Sequence, residues 1–191
     1  VMGKDCKDNN WPVELTAALI GSCTNSSYED VGRATHVVKQ ALDAGLKPKT
    51  QLFVSPGSDQ IFETIKRDGQ MAVLEEAGAT VLANACGPCI GQWKRDDLQE
   101  GAKNSIVTTF NRNFAGRNDG NAETLAFIGS PELVAALAFA GRLDFNPATD
   151  SLAVNGKSVR FTAPVAPELP ERGFATGDGG YIAPAADGSS L

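Results

Sequence analysis

The sequence predicts an α/β fold, with a mostly parallel central sheet between layers of helix. Three observations carry that expectation. Short apolar runs of strand type recur as far as Ile128, helical stretches separate several of them, and three runs feed directly into polar loops rich in Cys, Gly, Asn or Arg. Strands that alternate with helices pair side by side in one direction, with the helices on the sheet faces. Apolar residues form 42% of the 191, enough to build the core of one sizeable domain with a tail.

Residues 1–14 are polar and read as irregular. Ala17-Ala18-Leu19-Ile20 is a buried-strand run that stops at Gly21. A helix follows, with Ser26 and Glu29 at capping-box spacing, Val31, Ala34, Val38, Ala41 and Leu42 at helical period, and Gly45 at its end. Gln51–Val54 is a second strand, closed by Ser55-Pro56-Gly57. Residues 58–77 read as one or two helices broken near Gly69. Thr80–Ala83 is a third strand, Ser105–Phe110 a fourth and Leu125–Ile128 a fifth. Pro131 opens a helix through Ala140 that is apolar on nearly every side and therefore expected to be deeply buried. These elements make residues 1–150 the principal domain. Residues 151–191 read as a hairpin around Asn155-Gly156 followed by a Pro-, Ala- and Gly-rich stretch of linker type, leading toward a further domain.

The formal charge of −6 argues against a nucleic-acid or anionic-membrane surface, both of which want a basic excess. No apolar run reaches membrane-spanning length, and no signal-peptide pattern opens the chain. The opening at Val1 reads as a piece of a longer protein. Cys6, Cys23, Cys86 and Cys89 are too few and too unevenly spaced for a disulfide scaffold, and a metal or redox role suits some of them better.

In an open parallel sheet the carboxyl ends of the strands share one edge, and ligands bind in the crevice there. Ser22–Asn25, Asn84–Cys89 and Asn111–Arg117 each follow a strand, so Cys23, Cys86, Cys89, Arg112 and Arg117 are expected to converge. Ser55–Ser58 shares that edge and is a candidate lining segment. Three converging thiols suit a soft metal or an iron–sulfur cluster, whereas the alternative for any cysteine is a small buried hydrophobe; the residues alone leave both readings open. Three thiolates on a four-iron cluster would leave one iron for water or substrate, whereas four favour electron transfer; Cys6 has no evident partner and receives no role. Arg112 and Arg117 flank a glycine and suit carboxylates or phosphates, with ordinary surface ion pairs as the alternative. His36, the single histidine, lies within a helix and is not read as catalytic; Glu29 and Asp30 are read as cap groups, and Trp11 and Trp93 as packing residues.

Gly21-Ser22-Cys23-Thr24-Asn25-Ser26-Ser27-Tyr28-Glu29-Asp30 resembles the first cluster-cysteine motif of aconitases of the mitochondrial type. Ala83-Asn84-Ala85-Cys86-Gly87-Pro88-Cys89-Ile90-Gly91-Gln92-Trp93 resembles their paired-cysteine motif, and Asn111–Asn118 their substrate-arginine motif. The order and intervals fit as well, and the likeness runs through nearly the whole chain. The resemblance implies a three-layer α/β/α sandwich, a [4Fe-4S] cluster on Cys23, Cys86 and Cys89, and substrate carboxylates on Arg112 and Arg117 with Asn111 nearby. It implies interconversion of citrate and isocitrate through cis-aconitate in the tricarboxylic acid cycle, in the cytoplasm of a bacterium or the mitochondrial matrix of a eukaryote. Such enzymes carry four domains, and this chain resembles the third. The serine base, the histidine–aspartate acid pair and further arginines belong to the missing aconitase domains, so the chain alone is expected to be inactive.

Other classes fit fewer residues. Cys86-Gly87-Pro88-Cys89 matches a thioredoxin-like disulfide oxidoreductase motif, but no Trp precedes Cys86 and Gly91 would weaken the long helix that motif opens. A structural zinc module would need its ligands closer together. An isopropylmalate isomerase or homoaconitase domain shares the chemistry with another acid, although the surroundings of Gly87-Pro88 and Gln92-Trp93 look more like aconitase.

Overall fold

Leu15–Ile20 (β1) is the middle strand of a five-stranded sheet in which every pairing is parallel. The structure is a computed structural model that describes residues 1–110 and 114–188; the predicted site residues Asn111 and Arg112 lie outside the described residues. β1 pairs on one side with Gln51–Val54 (β2), which pairs with Thr80–Val81 (β3). On the other side it pairs with Asn104–Thr108 (β4), which pairs with Thr124–Ile128 (β5), giving the order β3-β2-β1-β4-β5. The expected α/β architecture with a parallel sheet is therefore present. The order reverses between β1 and β4, and such a reversal opens a crevice at the strand ends.

Four helices, Tyr28–Asp43 (α2), Asp59–Arg67 (α3), Gln70–Glu76 (α4) and Pro131–Ala140 (α5), pack together, with α5 lying against β1, β2 and β4. The large core between sheet and helices includes Ala18, Ile20, Leu52, Val54 and Val107 with Val38, Leu74 and Phe139. As its composition predicts, α5 is buried from Val134 to Ala140 without a break. Ala17, Leu19, Ile106 and Phe110 form a smaller second cluster. Among the described residues, none of the partly buried hydrophobics packed against it comes from an α-helix. Cys89 and Trp93, from the connection between β3 and β4, pack onto it.

Three expectations need correction. The N-terminal segment is not irregular: Met2–Asp8 forms a short helix, α1, whose Cys6 is fully buried in the large core. The capping box of α2 is one residue later than the Ser26/Glu29 pair. Ser27 accepts from the Asp30 N–H, and the Asp30 carboxylate accepts from the Ser27 N–H, while Ser26 turns back to donate to the Ser22 carbonyl at 2.5 Å. The third and fourth strands end earlier than the runs 80–83 and 105–110 suggest, at Val81 and Thr108. The break at Gly69 is real, with φ +85° and α4 starting directly after it.

Leu152–Val154 (β6) and Lys157–Val159 (β7) form the expected antiparallel hairpin, with Asn155 and Gly156 both at positive φ as a two-residue primed turn requires. Beyond it the chain lies along α2 and α3. The Thr162 N–H donates to Gln40 at 2.8 Å, the Val165 N–H to His36 Nδ1 at 2.7 Å and the Ala175 N–H to Thr64 at 2.9 Å. Phe174 meets Tyr28 edge to face, and Arg172 pairs with Asp68 at 2.6 Å. His36 thus serves as a hydrogen-bond acceptor for the backbone.

Candidate functional site

The loop after β1 leaves the sheet through a tight exit. A methyl group on Gly21 would stand 2.8 Å from the Ser55 side chain at the end of β2. Ser22 then takes φ +70°, an uncommon conformation for a residue with a side chain. Side chains over-determine it: Ser26 holds the Ser22 carbonyl, and the Ser22 hydroxyl accepts from the Thr24 N–H at 3.3 Å. Beyond the end of β4, the Thr109 hydroxyl accepts from the Gly21 N–H at 2.9 Å and donates to the Gly21 carbonyl at 3.0 Å. The Asn25 amide donates to the Thr109 carbonyl at 2.5 Å. Cys23 stands exposed at the tip, its sulfur 3.8 Å from the Thr24 hydroxyl.

The loop after β3 begins with Leu82 still bonded to β2, and Ser55 donates to the Ala83 carbonyl at 3.2 Å. Cys86 caps a single 3-10 turn over Gly87–Ile90, closed by Cys89 N–H to Cys86 carbonyl at 2.7 Å and ended by Gly91 at φ +85°. The long helix that a thioredoxin-type motif opens is therefore absent here. Cys86 is exposed and Cys89 half-buried. Ser22, Ser55, Cys86 and Cys89 line one small cleft. All four cysteines are free thiols.

The third loop reaches back to the second. Arg117 donates from Nε to the Cys89 carbonyl at 2.7 Å, and its guanidinium lies 5.6 Å over the Phe114 ring. Asn118 donates to the Pro88 carbonyl at 3.0 Å. Trp93 packs edge-on to Phe53 at 5.6 Å, with Arg95 stacked at 4.6 Å over its ring. The other predicted packing residue, Trp11, meets Phe127 at 6.0 Å. The three strand-end loops are thus stitched together. Among the described residues, however, no three His, Cys, Asp or Glu side chains are gathered closely enough to hold a metal ion. Cys23, Cys86 and Cys89 remain a chemically apt donor set for iron–sulfur ligation, being three unpaired thiols on adjoining loops. Cys6 is remote in kind: burial first, then Asp5 and Asp144, push its thiol pKa up.

Sequence reasoning passed over Thr109, Asn25 and Asn118, the residues that tie these loops. Their only signal was position, a small polar side chain just after a strand or inside a strand-end motif.

Fold and site together define an α/β domain with thiol-bearing loops after β1 and β3 at the carboxyl edge of a parallel sheet. The chain belongs to the aconitase family: the family model described as "Aconitase family (aconitate hydratase)" matches residues 3–141. It is 56% identical over 186 residues to a protein of Dictyostelium discoideum named probable aconitate hydratase, mitochondrial, which covers 97% of this chain and 24% of that protein. The aconitate hydratase, mitochondrial, of Saccharomyces cerevisiae is 54% identical over 184 residues (96% and 24%), and the Caenorhabditis elegans protein named probable aconitate hydratase, mitochondrial, 51% over 188 residues (98% and 24%). The chain therefore spans about a quarter of the length of these relatives.

Proposed function

We propose that this chain is the cluster-bearing part of an aconitate hydratase, a hydro-lyase of the tricarboxylic acid cycle acting on citrate, isocitrate and cis-aconitate. Cys23, Cys86 and Cys89 would hold a [4Fe-4S] cluster, and Arg112, Arg117 and Asn111 would bind substrate. The observation that carries this reading is the shared cleft: Ser22, next to Cys23 in the chain, lines it together with Cys86 and Cys89, and Arg117 reaches the Cys89 carbonyl beside it. A cluster with one iron free of protein ligands supplies a Lewis acid that polarises a substrate C–O bond.

The chain's own residues orient the acid. Arg117 spends its Nε–H on the Cys89 carbonyl, so its terminal Nη groups are those that would meet a carboxylate. Fixing the guanidinium to the cysteine loop sets a substrate carboxylate at a defined place relative to the thiols. The partners would be the remaining domains of the full-length enzyme, which bring the acid–base groups; the isolated chain would be inactive. In a eukaryote the location would be the mitochondrial matrix, in a bacterium the cytoplasm. Nucleic acid and membrane are not expected partners, in keeping with the net charge of −6. Among the described residues no helix is long and apolar enough to cross a membrane.

The test is anaerobic reconstitution followed by iron and acid-labile sulfide analysis. About four of each per chain, lost in Cys86→Ser, is the expected result. Zinc without sulfide, or a chain that yields only a Cys86–Cys89 disulfide, would overturn the cluster assignment. Isomerase activity in the pure chain would overturn its inactivity.

A further inference from the structure

We infer that Asn118 is a positioning residue for the paired-cysteine turn: its buried amide holds the turn that aims Cys86 and Cys89. The inference rests on the proposed reading of these thiols as ligands and adds to it the part that fixes their direction.

The turn cannot hold itself. It is one 3-10 turn of four residues, a short element with poor hydrogen-bond geometry. Gly87 sits at φ +35° with no atom within 4 Å of the position a Cβ would take, so packing does not steady it from that side. Its backbone bonds include Cys89 N–H to Cys86 and Gln92 N–H to Gly87, at 2.7 and 2.9 Å, and Gly91 N–H to Gly87, all of them local to the turn. Like the last carbonyls of any helical turn, those of Pro88 and Cys89 need outside donors. Both come from the loop after β4: the Asn118 amide for Pro88 at 3.0 Å and Arg117 Nε for Cys89 at 2.7 Å.

The two donors are anchored differently. Arg117 is half-buried and assigned to substrate, whereas Asn118 is only 3% exposed. The segment around Asn118 is tied to β5. Asp119, the next residue, accepts from the Thr124 hydroxyl at 2.7 Å and from the Asn121 N–H at 3.1 Å, and Arg95 lies 3.8 Å from its carboxylate. The backbones also touch at one point, because a methyl on Gly91 would stand 2.9 Å from the Arg117 carbonyl. The turn is thereby referenced to the sheet through Asn118. The acceptor is a carbonyl, so the side chain must donate, and an ionised carboxylate of the same shape cannot.

The experiment compares wild type with Asn118→Ala, Asn118→Asp and the control Asn121→Ala, which removes an amide bond to the Ala102 carbonyl and the acceptor of the Glu123 N–H but no bond to the turn. Amide hydrogen exchange is read in the metal-free chain. Both Asn118 variants should speed exchange at Cys89 and Gln92 by about tenfold, with Val107 and Leu137 unchanged, and the control should leave Cys89 and Gln92 alone. In the reconstituted chain the same variants should release iron to a chelator faster. Unchanged exchange at Cys89 and Gln92 in both variants, or uniform acceleration through β4 and α5, would overturn the inference. A wild-type chain that takes up no iron and sulfide would sink the cluster reading instead, while the exchange pattern would still decide whether Asn118 holds the turn.

Discussion

Replacing Thr109 by valine keeps the side-chain volume and deletes the hydroxyl that ties the Cys23 loop to β4. That hydroxyl makes two bonds to Gly21, one as acceptor at 2.9 Å and one as donor at 3.0 Å, and both residues are buried. Thr109→Val orphans an N–H and a carbonyl at once, each costing about 1–3 kcal/mol when water cannot replace the partner. Taking about 3 kcal/mol for the pair, Tm should fall by roughly 6–12 °C in a chain of this size. Thr109→Ser keeps both bonds and loses one methyl, for about 1 kcal/mol. Urea unfolding of the three proteins, with m-values compared, measures the difference. A Thr109→Val protein within about 0.5 kcal/mol of wild type, or a serine variant as unstable as the valine one, would refute the reasoning.

Gly91 and Gly87 offer a contrast within the cysteine turn. Gly91→Ala combines φ +85° with a backbone oxygen 2.9 Å away and should cost about 2–4 kcal/mol, whereas Gly87→Ala meets open space and should cost about 1; thermal unfolding would separate them. Hydrogen bonds from Arg67 first, then Arg172 and Tyr28, hold the Asp68 carboxyl well below the usual carboxylate range against the opposing effect of burial. A depressed folded pKa stabilises fully above the unfolded value near ~3.9 and loses that contribution as pH falls through the folded value, so Asp68→Asn should lower Tm at pH 7 and flatten its fall below about pH 4. A Tm series against pH that runs parallel for the two proteins would contradict this. Phe139→Ala, at a fully buried position of α5, should cost about 3–5 kcal/mol in urea unfolding.

The parts of the fold most legible in the sequence were those where one signal dominated. The run Ala17–Ile20 has no polar interruption, Pro131 and Gly141 bracket an apolar helix, and Asn155-Gly156 demands a primed turn. Helix α1 was hidden because its single fully buried residue, Cys6, gives no periodicity; contact with the rest of the core defines it. The α2 cap was ambiguous by one residue because Ser26 and Ser27 precede Glu29 and Asp30 at the same spacing, and only the demand of the Ser22 carbonyl draws Ser26 away. At the candidate site the motif residues stood out by type. Asn118 and Thr109 did not, since a buried amide and a strand-end hydroxyl look ordinary until their partners are seen across the sheet.

The reversal of strand order has a consequence for the newborn chain. β1 lies at the centre, yet the Thr109 hydroxyl that fastens its exit at Gly21 comes 88 residues later. At ribosomal speeds of about 5–20 residues per second, that is an interval of roughly 4–18 seconds. Throughout it the loop that carries Cys23 lacks the clasp that fixes its exit from the sheet. The topology that sets the central strand between partners from distant parts of the chain also leaves its exit loop unfastened while the molecule is being made.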